Sequence, residues 1–323
     1  MMMEVSRDPL GRDDPLLGAV ISIGNFDGVH IGHQKVISHA VARAREIDAP
    51  STIMTFNPHP VTLLRPSEAP RLLTTIEQRL ELLRQTGVDS VAVVPFTHYV
   101  SRMSAQTFIE KVLVERFQAR EVFVGANFRF GEDREGDVDL LAAQGQRFGF
   151  TAQAWPTVED GGELVSSTRI RRAVTAGRVK DANRMAGRAF FGDGKVLLGK
   201  KLGRKLGFPT LNIEVENELY PAEGVYLTAV YIPSFQRVFP SVTNIGVRPT
   251  VYENSGITIE SHLLDFTADV YQEGVRLYFL DRLRDEQIFD STLQLVAQVR
   301  RDVESARLFF LTHAIEDLNL VHP

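Results

Sequence analysis

From about Leu17 to Ala186, short continuous apolar runs alternate with segments whose apolar residues recur at helical spacing. "GAVISIG", "STIMTF", "SVAVVPF", "AREVFVG" and "FTAQAWP" read as strands. The segments from about His33 to Ile47, "TTIEQRLELLRQTG" closed by Gly87, and "SAQTFIEKVLVERF" read as helices. Strands that are apolar throughout, set between helices, predict a parallel sheet covered on both faces. In such sheets ligands sit beyond the carboxyl ends of the strands. After about Gly187 the rhythm changes. "GKVLLG", "GVYLTAVYI", "RVFPSVTNIG", "TIESHLLDF" and "GVRLYFL" are short strands separated by Gly, Pro and Asn, which predicts a small antiparallel barrel or sandwich. A helical pattern from Asp290 to Asp317 closes the chain.

At 323 residues the chain exceeds one typical core, in keeping with two unlike halves. Hydrophobic residues make up 44% and charged residues 24%, ordinary for a globular protein. With no cysteine, neither disulfides nor thiolate sites are possible. No stretch has the make-up of a signal peptide or a membrane span, so a cytoplasmic location is expected, with no membrane partner. The net charge of −5 argues against broad nucleic-acid binding but leaves small anionic ligands open. The first fifteen residues carry no pattern and are expected to be disordered.

The chemistry gathers after the strands. "SIGNFDGVHIGHQKVI" follows the first strand and opens a helix, with Asn25, Asp27, His30 and His33 in one turn. A helix N-terminus attracts anions, and two imidazoles three residues apart could donate to one phosphate. The plainer alternative is a pair of exposed or packed histidines. "FNPHP" puts Asn57 and His59 after the second strand, at the same rim, and "GANFRFG" puts Asn127 after the fourth. "SSTRIRR", read as a short segment ahead of a helical pattern, gathers Ser167, Thr168 and Arg171, residue types that clamp phosphate, although Ser-Thr at a helix start is often only a cap.

In the second half, "GKKLGRKLGFPTLNI" joins three glycines and a basic run to Thr210 and Asn212. It is not a Walker A loop, and a solvated basic hairpin is the alternative. Thr210 and Asn212 alternate along a strand and face one side, where two neutral oxygens suit Mg²⁺ completed by phosphates and water. Glu260 stands in an otherwise apolar strand, as a salt-bridge partner or a general base.

The set "GNFDGVHIGH", "FNPHP", "FRFGEDREGD" and "SSTRIR", followed by "GRKLGFPTLNI", "TNIGVRPT", "IESHLLDF" and "LRDEQIF", resembles the bifunctional bacterial FAD synthetases. These join riboflavin kinase and FMN adenylyltransferase in one chain. The resemblance implies an α/β protein: a Rossmann-like nucleotidyltransferase domain with a parallel sheet over 1–186, then a riboflavin kinase-like antiparallel β-barrel with a closing α-helix over 187–323. It implies phosphorylation of riboflavin to FMN with Mg²⁺ and ATP, then adenylyl transfer from ATP to FMN, giving FAD and pyrophosphate. By that likeness His30 and His33 stabilise the reacting phosphates of ATP, and Asn25, Asp27, Asn57, Asn127, Ser167, Thr168 and Arg171 hold nucleotide or phosphate. Thr210 and Asn212 bind Mg²⁺ and ATP phosphate, and Glu260 takes the proton of the ribityl 5′-hydroxyl. The loop from Gly199 to Gly207 forms a flap over ATP, and Arg284 lies near the flavin. The expected partners are small molecules, with self-association left open.

Overall fold

The computed structural model describes residues 3–11, 18–198, 203, 206–247 and 256–322. The chain divides into two compact units, one of Met1–Arg71 and Ile76–Ser166, the other of Leu72–Thr75 and Ser167–Pro323.

The first unit holds a sheet of six parallel strands: β1 (Glu4–Arg7), β2 (Val20–Ile23), β3 (Ser51–Asn57), β4 (Ser90–Pro95), β5 (Glu121–Gly125) and β6 (Thr151–Trp155). Their order is β1-β4-β3-β2-β5-β6. The chain steps outward from β2 through β3 to β4, then returns to β5 on the other side. The topological switch point therefore lies between β2 and β5, the place where open α/β sheets bind ligands. β2 is buried along its whole length, and β3, β4 and β5 along most of theirs, as their unbroken apolar runs require. Helix α1 (Ile31–Glu46) buries Val36, Ile37, Ala40, Val41 and Ala44, one stripe at helical spacing. It is followed by α2 (Ile76–Arg84) and α3 (Val138–Phe148).

Two local expectations are corrected. Glu4–Arg7 is not disordered: it pairs with β4 as the outermost strand, and Met3 beside it is buried. A four-residue strand is too short to carry a periodic signal. The helix read over "SAQTFIEKVLVERF" begins as a single α-turn at Ala105–Thr107 and continues as a π-helix over Phe108–Arg116. The wider turn retains a buried face of Phe108, Ile109, Val112 and Leu113, so the apolar spacing alone does not distinguish it.

The second unit starts with helices α4 (Ser167–Thr175) and α5 (Val179–Ala186). Six antiparallel strands then close into a barrel in the order β10-β13-β12-β11-β14-β9. They are β9 (Phe190–Leu197), β10 (Leu211–Val215), β11 (Gly224–Ile232), β12 (Arg237–Val247), β13 (Ile257–Leu263) and β14 (Gly274–Arg284). A small hairpin of β7 (Glu159–Asp160) and β8 (Glu163–Leu164) precedes α4 in the chain. Fully buried Thr228, Ser241, Thr243 and Ser261 form a chain of hydroxyls across β11, β12 and β13, with O–O distances of 2.7, 2.7 and 2.8 Å. Helix α6 (Thr292–Thr312), capped by the Ser291 hydroxyl, is the expected closing helix.

Candidate active sites

In the first unit the turn after β2 is tightly specified. Gly24 N–H donates to Met54 O on β3, and Val29 N–H donates to Phe26 O. Phe26 and Val29 both have positive φ, 49° and 34°, which for a bulky and a β-branched residue costs about 1–3 kcal/mol each. Both side chains are buried, so packing holds the turn in this shape.

That turn delivers His30 to the N-cap of α1. Its Nδ1 accepts from the His33 N–H at 3.3 Å, which places the proton of neutral His30 on Nε2. The His30 and His33 rings stack, with centroids 3.6 Å apart and planes 18° from parallel. Gly32 explains the residue between them. A Cβ there would lie 3.1 Å from His30 Cε1, so any other residue would crowd the ring by a few tenths of an ångström. Asp27 is buried in the same turn.

The turn after β3 stands beside it. The Asn25 amide lies 3.1 Å from His59 Nε2, and the Thr55 hydroxyl donates to Asn25 O at 3.0 Å. His59 caps the short helix Pro60–Leu64 through Nδ1. Fully buried Arg79 on α2 donates to Phe56 O at 3.2 Å and so steadies the end of β3. Asn57 is the exposed last residue of β3, and Asn127 is exposed after β5 in a turn closed by Phe128 N–H to Gly125 O. The structure thus brings Asn25, Asp27, His30 and His33 into one turn, with His59 beside them as the sequence expected. Asn57 and Asn127 sit at the carboxyl ends of two strands of the same sheet. Ser167, Thr168 and Arg171 belong to the other compact unit, in the first turns of α4 itself, not ahead of it. Their i, i+3 and i, i+4 spacings put them on one helix face.

In the second unit a cavity of about 770 Å³ lies between the barrel and α6. Along its barrel side runs a row of cross-strand partners. Asn212 on β10 faces Glu260 on β13, Glu260 faces Asn244 on β12, Asn244 faces Val225 on β11, and Val225 faces Arg284 on β14. All five line the cavity. The last step depends on a bulge: Tyr226 pairs with Arg282 but Val225 with Arg284, so Leu283 is skipped and Arg284 takes its place in the row.

Thr210 is not within β10 but immediately before it, and it lines both this cavity and a second of about 270 Å³ bounded by Leu197, Pro209, Phe266 and Tyr271. His262 Nδ1 lies 2.8 Å from Pro209 O and its ring meets Phe208 edge-on, holding the approach to Thr210. Gly207 has φ +85° with open space around it, a conformation glycine adopts without strain. Gly199 lies outside the described residues.

Arg284 does not offer its charge to the cavity. It grips Asp302 of α6 with Nε and Nη2, at 2.9 to 3.1 Å, and Gln298 donates to the same carboxylate. The opposite wall is apolar, with Leu295, Val296, Val299 and Val303 from α6. A volume in this range, one apolar wall and a few convergent polar groups fit a small aromatic ligand with a polar tail. Sequence reasoning did not single out Asn244 and Glu286, although "TNIGVRPT" and "LRDEQIF" contain them, nor Asp302, which lies in none of the quoted motifs. Among the described residues no cluster of three His, Cys, Asp or Glu is placed to hold a metal ion.

Comparisons with known proteins agree with this geometry. The family described as FAD synthetase matches residues 14–169, and the family described as riboflavin kinase matches residues 186–310. A bifunctional riboflavin kinase/FMN adenylyltransferase of Pseudomonas fluorescens is 40% identical over 296 residues, 90% of this chain and 92% of that protein. Those of Escherichia coli K12 and Haemophilus influenzae are 38% and 34% identical, covering 92% and 95% of this chain and 94% and 99% of their own lengths. A crystal structure from Streptococcus pneumoniae, described as a macrolide-efflux protein, matches with TM-score 0.84 and 29% identity over 95% of this chain and 99% of its own. Among the described residues here no helix is long and apolar enough to cross a membrane. With both halves matched in order over most of its length, the chain belongs to the family of bifunctional riboflavin kinases/FMN adenylyltransferases.

Proposed function

We propose that the barrel cavity is where riboflavin is phosphorylated to FMN, and that the turn from Gly24 to His33 is where FMN is adenylylated to FAD. The observation that carries the kinase half is the row Asn212, Glu260, Asn244 along one cavity wall, with Thr210 at its end. The flavin ring lies against the apolar face of α6, and the ribityl 5′-hydroxyl reaches Glu260, which accepts the proton as the oxygen attacks the γ-phosphorus and ADP leaves with the bridging oxygen. ATP lies in the adjoining smaller cavity, so that its phosphates meet the hydroxyl at Thr210. The neutral oxygens of Thr210 and Asn212, with few protein carboxylates nearby, fit Mg²⁺, which keeps phosphate and water as most of its ligands. When bound, the ion would neutralise charge on the transferred phosphoryl group.

For adenylyl transfer, the His30 Nε2–H and the N-terminal amides of α1 are donors aimed at phosphate. They favour the charge that builds on the α-phosphate oxygens as the FMN phosphate attacks and pyrophosphate leaves. Asn25, Asp27, Asn57 and Asn127 border the same strand ends and position the nucleotide. Ser167, Thr168 and Arg171 supply further phosphate contacts, and the FAD synthetase match extends to residue 169, into their helix. The functional boundary proposed at 186/187 is later than the compact boundary at 166/167. Arg284 acts as an anchor for α6 at the flavin cavity, not as a charged ligand contact. A cytoplasmic setting, where ATP is supplied, belongs to the same reading. The test is incubation of the full chain with riboflavin, ATP and Mg²⁺, with the flavins separated by chromatography. FMN followed by FAD is expected, and accumulation of neither defeats the reading.

A further inference from the structure

We propose that Gly177 and Asn183 are positioning residues for adenylyl transfer, seating the helix that carries Ser167, Thr168 and Arg171 on strands of the barrel. The inference rests on the reading above that those three side chains hold phosphate. By that reading the chemistry of α4 belongs with the first half of the chain. Its footing lies in the second unit, because the compact boundary falls just before Ser167.

Backbone and side-chain bonds make that footing. Between the end of α4 at Thr175 and the start of α5 at Val179, Gly177 N–H donates to Val174 O at 2.8 Å and Arg178 N–H to Ala173 O at 2.9 Å. This short, closed joint makes α4 follow α5. Helix α5 in turn packs on β14 and β9. Asn183 fixes it there with both ends of its amide: Nδ2 donates to Phe279 O on β14 at 2.8 Å, and Oδ1 accepts from Phe190 N–H on β9 at 2.7 Å. Lys180 adds an ion pair with Asp281 of β14 at 2.7 Å. Gly177 is buried with φ +72°, and a Cβ there would lie 2.9 Å from Tyr226 Oη on β11 and 3.0 Å from the Arg282 guanidinium on β14. A side chain would strain the turn and push the joint off the barrel. Gly177, Lys180, Asn183 and Asp281 are not among the residues that line the flavin cavity, so their effect falls on α4. Phosphate donors act only when placed to a fraction of an ångström, and the barrel thereby sets the geometry of the other reaction.

The test measures two activities of the full chain, FAD formation from supplied FMN and ATP, and riboflavin phosphorylation. Gly177→Ala and Asn183→Ala should each lower kcat/KM for ATP in FAD formation by about tenfold, with kinase kcat/KM unchanged within about twofold. Lys180→Glu, at an exposed position, sets two carboxylates against each other and should cost FAD formation about threefold. Adding Asp281→Lys restores a pair of opposite charges and should restore FAD formation. This exposed swap keeps the test alive if the Gly177 and Asn183 variants fold poorly. Equal losses in both activities, unchanged FAD formation in the folded variants, or a swap that fails to restore what Lys180→Glu lost would each overturn the proposal. If Ser167→Ala, Thr168→Ala and Arg171→Ala together leave FAD formation intact, the phosphate-holding reading itself falls.

Discussion

Arg284 and Asp302 join the barrel to its closing helix through a two-pronged ion pair in which the side chains are only 16% and 7% exposed. Removing one partner leaves a largely buried charge without compensation. Asp302→Ala should therefore lower unfolding stability by about 3–5 kcal/mol, measured by urea denaturation of the full chain. The double change Arg284→Met, Asp302→Leu should cost far less, because it removes both charges together.

The two activities should separate cleanly by mutation. Glu260→Ala should reduce riboflavin phosphorylation about 100-fold or more while FAD formation from supplied FMN persists. The pair His30→Ala, His33→Ala should do the reverse. Loss of both activities from either folded variant would contradict independent sites.

Gly32→Ala offers a finer probe of the adenylyl-transfer turn. The added methyl would press on His30 at 3.1 Å, so the ring must give by a few tenths of an ångström against the His33 stack. A misplacement of about 1 Å at a reacting group costs about 100-fold in rate, so a smaller loss of about 2- to 10-fold is expected here. FAD formation should fall while riboflavin kinase activity and the melting temperature change little.

Much of this was legible in the sequence, for physical reasons that can be named. Continuous burial of β2 through β5 follows from strands apolar on both faces, and the polar clusters stand where a parallel sheet must present its strand ends. The stacking of His30 on His33 was accessible in outline, since three residues span nearly one helical turn. The row that unites Asn212, Glu260 and Arg284 was not. It depends on strand register and on one skipped residue, and neither leaves a periodic trace. Arg284 shows the difference most sharply: a cation beside an expected flavin site proves to be spent on Asp302, 18 residues further along the chain.

The hydroxyl chain within the barrel makes a separate prediction. Thr243 stands between Thr228 and Ser261, both fully buried. Thr243→Val takes from Ser261 its hydroxyl partner and leaves Thr228 bonded to Ser241 alone. A loss of about 1–3 kcal/mol for the one stranded hydroxyl is expected in chemical denaturation. Ser261 adjoins Glu260 in β13, so phosphorylation should weaken as well.

Acid sensitivity has a specific contributor at α3. Asp137 caps that helix by accepting from Leu140 N–H at 2.9 Å, and this bond, helped by Arg129, holds its carboxyl below the usual range. A carboxylate with a depressed pKa in the folded state stabilises the fold fully above its unfolded pKa, about 4. That contribution fades as pH drops through the lower folded value. Asp137→Asn, which still caps, should flatten the dependence of unfolding on pH below about 4, read by circular dichroism.

The skipped Leu283 decides which residue β14 shows to the cavity. Residues before and after it keep different phase relative to β11. If the ladder ran on unbroken from the Tyr226–Arg282 pair, Leu283 would stand opposite Val225 and Arg284 would be carried one position further. Leucine would then face the cavity, and the guanidinium would turn away from Asp302. A regular sheet and a tethered closing helix thus make opposite demands on this strand, and the irregular spacing is the version that keeps the helix in place.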